Sequence, residues 1–317
     1  MKKRASIKKR GILSLLFAVT LLFALTSPAI AAEPAIIHYD SFNEYDYIQL
    51  LQNSSAQELK KMGVSEQEAT TIISSFEAAL LERSSLCDTE LRAYGYDETE
   101  IILFHKLSNG QKLSDAELRS LGSTCTGSIT RYYCYLKSAK FSYTFEWNRC
   151  PLITLSDSAA MRWIAYNASD NEIGVERTSY SMLIEYHFQG NAASSGPAFA
   201  HYGQGSNQPN LDFNTLNMQF PVYDTHYSNS SGTIFDCYAR KGTVTVSIKV
   251  PTGVTANIHH IFVGGLYGHT LIGIGSPTVS VSQGSIGISF TGNTSIDSIA
   301  SRQATIYQAS SSVEYWN

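Results

Sequence analysis

The chain carries none of the short motifs that commit a sequence to a known chemistry. It has no G-x-S-x-G, H-E-x-x-H, Walker A, G-x-G-x-x-G or EF-hand loop. Serine-elbow hydrolysis, helix-borne zinc, phosphate cradling, dinucleotide binding and loop-bound calcium therefore all lack their usual sequence anchor. Cysteine is scarce, five in 317 residues and none in a C-x-x-C pair. Positive charge is scarce too. Six of the 23 basic residues (Lys2, Lys3, Arg4, Lys8, Lys9, Arg10) sit at the extreme N-terminus, leaving 17 against 27 acidic residues. No apolar run after residue 26 has the length of a membrane-spanning helix, which needs about 20 residues.

What the N-terminus does have is a secretory signal. The basic cluster is followed by an apolar stretch from Ile12 to Thr26 and by Ala29-Ile30-Ala31, an A-x-A cleavage site. The expected product begins at Ala32 and is extracellular, and the long basic leader is of the Gram-positive bacterial kind. Acidic residues are unevenly placed: 16 acidic and 7 basic fall in residues 33–120, against 11 and 10 in 121–317. That excess argues against nucleic acid, and against anionic lipid, as a partner of the N-terminal part.

Three echoes mark that part: Glu58-Leu59-Lys60-Lys61-Met62-Gly63, Glu90-Leu91-Arg92-Ala93-Tyr94-Gly95 and Glu117-Leu118-Arg119-Ser120-Leu121-Gly122. Ser55 with Glu58, Ser65 with Glu68, Asp97 with Glu100 and Ser114 with Glu117 fit the capping box, in which each partner satisfies the other's free amide. Gly63 and Gly95 stand where a helix end calls for a left-handed residue. Ile72, Ile73, Phe76, Leu80 and Leu81, then Ile101, Ile102 and Phe104, supply apolar stripes at helical spacing. The glutamates are thus helix caps in a small bundle, with an acidic partner-binding groove as the sharper alternative.

From about Gly127 the period changes to two. Phe141, Tyr143, Phe145 and Trp147 alternate with Ser142, Thr144 and Glu146, and similar runs recur to the C-terminus. The expected fold class is α+β, a small helical repeat region over residues 32–122 followed by an antiparallel, jelly-roll-like β-sandwich over 123–317. The aromatic stripe reads as an inward face. A hairpin turning near Lys137–Ala139 brings Cys125 towards Cys150, while Cys134 shares an inward face with Tyr132 and Leu136 and reaches Cys237 across the core. Disulfides 125–150 and 134–237 are expected on this register, with Cys87 left as a thiol.

Candidate ligand-binding residues lie in the polar stretch 190–216, a loop long enough to be functional: His201, Tyr202, Gln204 and Asn207. Asp224 and His226, two apart, would share a strand face and could join His201; this trio is what a secreted hydrolase would need. His259 and His260 are adjacent and so point to opposite faces, and Glu185 with His187 forms a surface pair. No catalytic residue, metal site or cofactor emerges. Thr243–Val250, Thr278–Ser282 and Ile286–Phe290 alternate small polar with aliphatic residues, which suits both sandwich strands and membrane-inserting hairpins.

The E-L-[KR]-x-x-G helical units, the signal, and a Cys/Tyr/Trp-rich β region opening at Cys125-Thr126-Gly127-Ser128 together resemble secreted proteins of Gram-positive bacteria with no established activity. The resemblance implies no functional residue. The expected function is that of a non-enzymatic extracellular binding protein acting through the sandwich on a surface glycan or protein. The alternative is a membrane-active, β-pore-forming protein with the acidic helical segment as its restraint.

Overall fold

The computed structural model describes residues 41–153, 156–188, 198–203, 215–221, 227–228, 234–235, 237–273, 278–281, 288–291, 294–308 and 313–316. Side chains are described over 41–153, 157–187, 238–271 and 302–308.

A three-residue strand, β1 (Ser41–Asn43), leads into six helices: α1 (Glu44–Asn53), α2 (Ala56–Lys61), α3 (Glu66–Ser84), α4 (Asp88–Ala93), α5 (Glu98–Ser108) and α6 (Asp115–Leu121). The expected capping boxes at Ser55, Ser65, Asp97 and Ser114 all form. At the second echo the Glu90 carboxylate likewise accepts the Cys87 N–H, at 2.9 Å. Gly63 and Gly95 take φ of +76° and +96°, the left-handed turn that ends α2 and α4. Gly122 instead has an extended ψ and runs directly towards the first long strand. Of the apolar stripes, Ile72, Phe76, Leu80, Ile101 and Phe104 are buried, whereas Leu81 and Ile102 face outward.

The strands that follow form two six-stranded sheets. One has the order β1-β2-β3-β11-β6-β7, with β2 (Thr124–Cys134), β3 (Ser138–Trp147), β6 (Glu176–Phe188), β7 (Ala198–Gly203) and β11 (Cys237–Lys249). The other runs β16-β15-β12-β4-β5, with β8 also on β4. Its strands are β4 (Ser156–Tyr166), β5 (Glu172–Ile173), β8 (Thr215–Pro221), β12 (His260–Gly273), β15 (Thr294–Tyr307) and β16 (Val313–Trp316). Short hairpins pair β9 (Tyr227–Ser228) with β10 (Ile234–Phe235) and β13 (Thr278–Val281) with β14 (Ile288–Thr291). All the pairings are antiparallel, and the chain crosses between the two large sheets after β3, β5, β7, β8 (by way of β9 and β10) and β11. The expected α+β class and helix-then-sheet order are what the structure has.

The aromatic stripe of β3 is the core. Phe141, Tyr143, Phe145 and Trp147 are all fully buried. The Phe145 ring stacks on Tyr267 of β12 at 4.1 Å and Phe141 packs edge-on against Trp163 of β4 at 6.0 Å, so rings from one sheet fill the other's face. Two glycines make room. A Cβ on Gly265 would lie 2.1 Å from the Tyr143 ring, and one on Gly242 would lie 2.1 Å from Phe145. The glycine-rich, apolar run of β12 is therefore a seat for a tyrosine. The alternation of β11 is likewise absorbed: Val244, Val246 and Ile248 are buried, and the strand is hydrogen-bonded on both edges by β3 and β6.

The hairpin register differs from the expected one. Cys125 faces Trp147 and Cys134 faces Ala139, because the turn lies at 135–137 and a bulge falls between Arg131 and Tyr133. Cys150 lies three residues past Trp147, and its sulfur accepts from Arg83 Nη2 at 3.6 Å. No 125–150 disulfide forms. Nor does 134–237: Cys134 is a buried thiol level with Ile248 through Ala139, and Ile248 stands eleven residues along β11 from Cys237. That separation is roughly 35 Å at strand spacing, whereas a disulfide needs Cα atoms within about 7 Å. Cys87 is an exposed thiol, as expected.

Substituting Gly265→Ala forces the Tyr143 ring to move within a filled core and is expected to cost about 1–3 kcal/mol. Gly174→Ala, with open space around its Cβ direction, should stay within about 0.5 kcal/mol of wild type. Urea unfolding of both variants compares them directly, and equal midpoints would show that Tyr143 does not require this glycine.

Candidate functional site: a capped end and a hairpin tip

The helices close one end of the sandwich. Asn43 caps α1 by accepting from the N–H groups of Tyr45 and Asp46, and its Nδ2 donates to Arg119 O, Gly122 O and Thr124 Oγ1. The next residue, Glu44, is buried. Its carboxylate accepts from Ser123 N at 2.8 Å, Leu152 N at 2.7 Å and Ile153 N at 3.2 Å. Burial raises its pKa, against the opposing influence of His269 and of these N–H groups. Arg83 of α3, also buried, donates to Tyr96 Oη, Cys150 O and Pro151 O, with its guanidinium 4.0 Å from the Tyr94 ring centre. Arg149 meets Glu100 at 2.5 Å in a second buried pair.

Behind Glu44 lies a carboxylate–histidine cluster. Asp157 Oδ2 accepts from the Tyr267 hydroxyl and pairs with His269 Nδ1 at 3.1 Å, and Oδ1 accepts from Thr270 N at 2.9 Å. Trp147 Nε1 donates to Tyr267 Oη at 3.0 Å. Burial first, then the Asp157 charge, hold the Tyr267 phenol well above its ordinary range, so it remains a donor. In composition this resembles acid–base machinery, yet Asp157, His269 and Tyr267 have no exposed surface. A general base must come within hydrogen-bond reach of its substrate. Sealed in this way, the cluster joins β4 to β12 and acts as a structural link.

The other end of the sandwich carries the β2–β3 turn. At the bulge Tyr132 has no cross-strand partner, so Tyr132 and Tyr133 both leave the core side while Cys134 returns to it. Tyr133 and Tyr135 stack at 5.0 Å with planes 14° apart, and Lys140 Nζ sits 5.0 Å over the Tyr132 ring. Tyr135 N closes the turn on Ser138 O at 2.7 Å. The turn is then bound to the 250–258 loop. Val250 N donates to Lys137 O and Ile258 N to Leu136 O, both at 2.8 Å, while Lys137 Nζ donates to the carbonyls of Val254, Thr255 and Ala256. Gly253, at φ +92°, lets Val254 N return to Pro251 O in that loop. The result is a rigid tip with Tyr132 53 %, Tyr135 62 %, Leu136 48 % and Val254 41 % exposed.

Of the candidate ligand-binding residues singled out from the sequence, only two lie among the described residues. His201 and Tyr202 lie on edge strand β7, level with Leu183 and Met182 of β6. Gln204, Asn207, Asp224 and His226 lie outside the described residues, so the proposed trio with His201 is not brought together among them. Glu185 and His187 do pair, at 2.7 Å. His259 is exposed and His260 buried, as their adjacency predicts, although their Nδ1 atoms approach to 3.2 Å. Among the described residues no group of three or more His, Cys, Asp or Glu could hold a metal ion. Cys134 is inward as expected, but Tyr132 and Leu136 do not share its face: Tyr132 continues the outward side of β2, the bulge brings only Cys134 in, and Leu136 lies in the turn.

No protein-family model matches the chain, and no curated protein does. Among solved structures it is similar to one titled "AvmM Catalyzes Macrocyclization in Alchivemycin A Biosynthesis", at 12 % identity and a TM-score of 0.27 over 59 % of this chain and 89 % of that one. It is also similar to Clostridium perfringens delta-toxin, at 9 % identity and a TM-score of 0.22 over 62 % and 88 %. At these values neither likeness bears on what this chain does.

Replacing Glu44 tests the capped end. Glu44→Ala leaves the N–H groups of Ser123, Leu152 and Ile153 without their acceptor and is expected to cost about 2–4 kcal/mol in thermal or urea unfolding. The pH dependence has a definite sign. With its pKa raised above 4.5, folded Glu44 keeps a proton that the unfolded chain has released, so its contribution is full below 4.5 and declines as pH rises through the folded value. Glu44→Gln should remove that declining limb from the plot of Tm against pH. A limb unchanged in the variant would assign it to another group.

Proposed function

We propose that this chain is a non-enzymatic extracellular binding protein that attaches to a surface through the β2–β3 tip of its β-sandwich. One observation carries the reading: four tyrosine, leucine and valine side chains project together from a tip whose backbone is fixed by the hydrogen bonds between the β2–β3 turn and the 250–258 loop. Leaving such side chains in water is unfavourable, and fixing them beforehand reduces the ordering cost of association. Among the described residues the Asp157–His269 pair, which has the composition of acid–base machinery, is fully buried. No helix among the described residues is long and apolar enough to cross a membrane, a statement that leaves β-strand insertion untouched.

The pore-forming alternative receives less support. Its first candidate hairpin strand, Thr243–Val250, is largely the central strand β11, with its apolar side in the core. Releasing it would break two strand pairings at once.

Tyr132→Ser/Tyr135→Ser, a change confined to exposed rings, is expected to keep the wild-type Tm within about 2 °C. It should lower binding to isolated bacterial and host cell surfaces by roughly tenfold, in line with loss of interfacial aromatic anchors. Binding equal to wild type would remove the tip from the binding face.

A further inference from the structure

The charge and chemistry of the tip narrow the surface it recognises. From Arg131 to Lys140 there are three basic residues (Arg131, Lys137 and Lys140) and no acidic one, and from Pro251 to Ile258 there is no charged residue. This stands out in a chain whose acidic residues otherwise prevail. The helices and their links, which hold 14 acidic and 7 basic residues over 44–121, are attached where β2 begins and β3 ends. The tip lies where β2 ends, eleven residues along the strand, or about 35 Å away. The molecule is therefore electrically polarised, acidic at its capped end and basic at its tip, and an anionic surface would orient it tip-first.

The side chains discriminate between kinds of anionic surface. A sugar ring needs an open aromatic face, but Tyr133 and Tyr135 stack on each other and Lys140 covers one side of Tyr132. Leu136 and Val254, nearly half exposed, offer a sugar nothing. Tyrosines beside short aliphatics and lysines form the combination that settles at a membrane interface, with rings at headgroup level, aliphatics just below and ammonium groups among the phosphates. Among the described residues the other acidic ones towards this end are Asp170, Glu172 and Glu176, on or next to β5 and β6, and Glu314 of β16, level with Thr305; all lie outside the hairpin, and Glu176 is paired with Lys249 at 3.3 Å.

We propose that the tip docks on the surface of an anionic lipid bilayer, with Tyr132, Tyr135, Leu136 and Val254 entering the headgroup layer, Lys140 among its phosphates, and Lys137, whose ammonium is held by the carbonyls of Val254, Thr255 and Ala256, adding positive charge at the turn. The proposal rests on the hairpin tip being the binding face and names its partner. It concerns peripheral attachment and involves no strand insertion.

The test is co-sedimentation of the full mature chain with vesicles of pure phosphatidylcholine and of phosphatidylcholine with 30 % phosphatidylglycerol as the anionic component, a level of about one lipid in three. Binding to the anionic vesicles only, weakened by salt, is expected. Leu136→Ser/Val254→Ser should reduce it roughly tenfold, and Leu81→Ser/Ile102→Ser on the helices should leave it unchanged. Hydrogen exchange of the wild type gives a second reading free of any folding defect, with protection expected over 131–140 and 250–258 when anionic vesicles are added. Vesicle binding that ignores the tip variant, or protection elsewhere, overturns the proposal. No vesicle binding, with tip-dependent attachment to a glycan or protein, overturns the lipid partner and leaves the binding face standing. No tip-dependent binding to any surface overturns both.

Discussion

A single buried carboxylate holds the architecture together. Glu44 begins α1, and its oxygens receive N–H groups from the start of β2 and from the β3–β4 connection. An ionisable group without such partners would be costly to bury, and removing one partner from a satisfied set costs more than the set contributes. The geometry is thus self-enforcing: helix, strand and connection must arrive together for the charge to be accommodated. Arg83 repeats the logic from α3, spending its donors on Tyr96 and on the carbonyls of Cys150 and Pro151.

It follows that the helical region is part of the sandwich's closure. β1 extends one sheet through Ser41–Asn43 against Thr124–Thr126, and Phe42 packs edge-on against Trp147 at 6.1 Å. A chain starting at Leu121 would lack these and would expose Trp147 and the cluster behind it. The acidic segment therefore acts less as a detachable shield than as the wall at one end. The aromatic tip lies at the end of β2 away from these helices.

Within the core, ring size and glycine placement are matched. Tyr143 and Phe145 occupy space that a Cβ at Gly265 or Gly242 would fill. This explains why β12 combines glycine with apolar residues, a composition that in isolation also suits a membrane strand. The hairpin shows the same dependence on one residue. The unpartnered Tyr132 shifts the alternation of β2 by one, so Tyr133, which would have followed Ile129 and Arg131 inward, turns out and Cys134 turns in.

The sequence by itself determined the local features: four capping boxes, the left-handed glycines 63 and 95, the helix-to-strand change near residue 122 and the inward aromatic stripe of β3. Each depends on neighbours within a few residues, where spacing suffices. Only the tertiary structure decided the rest. The bulge between Arg131 and Tyr133 shifted the hairpin register, separated Cys125 from Cys150 and turned Tyr133 outward; a one-residue insertion leaves no mark in composition. Asp157 and His269, 112 positions apart, and Glu44 and Leu152, 108 apart, meet only because the sheets stack and the helices cap them. Burial of a charge is a property of everything packed around it, so no single stretch of sequence announces it.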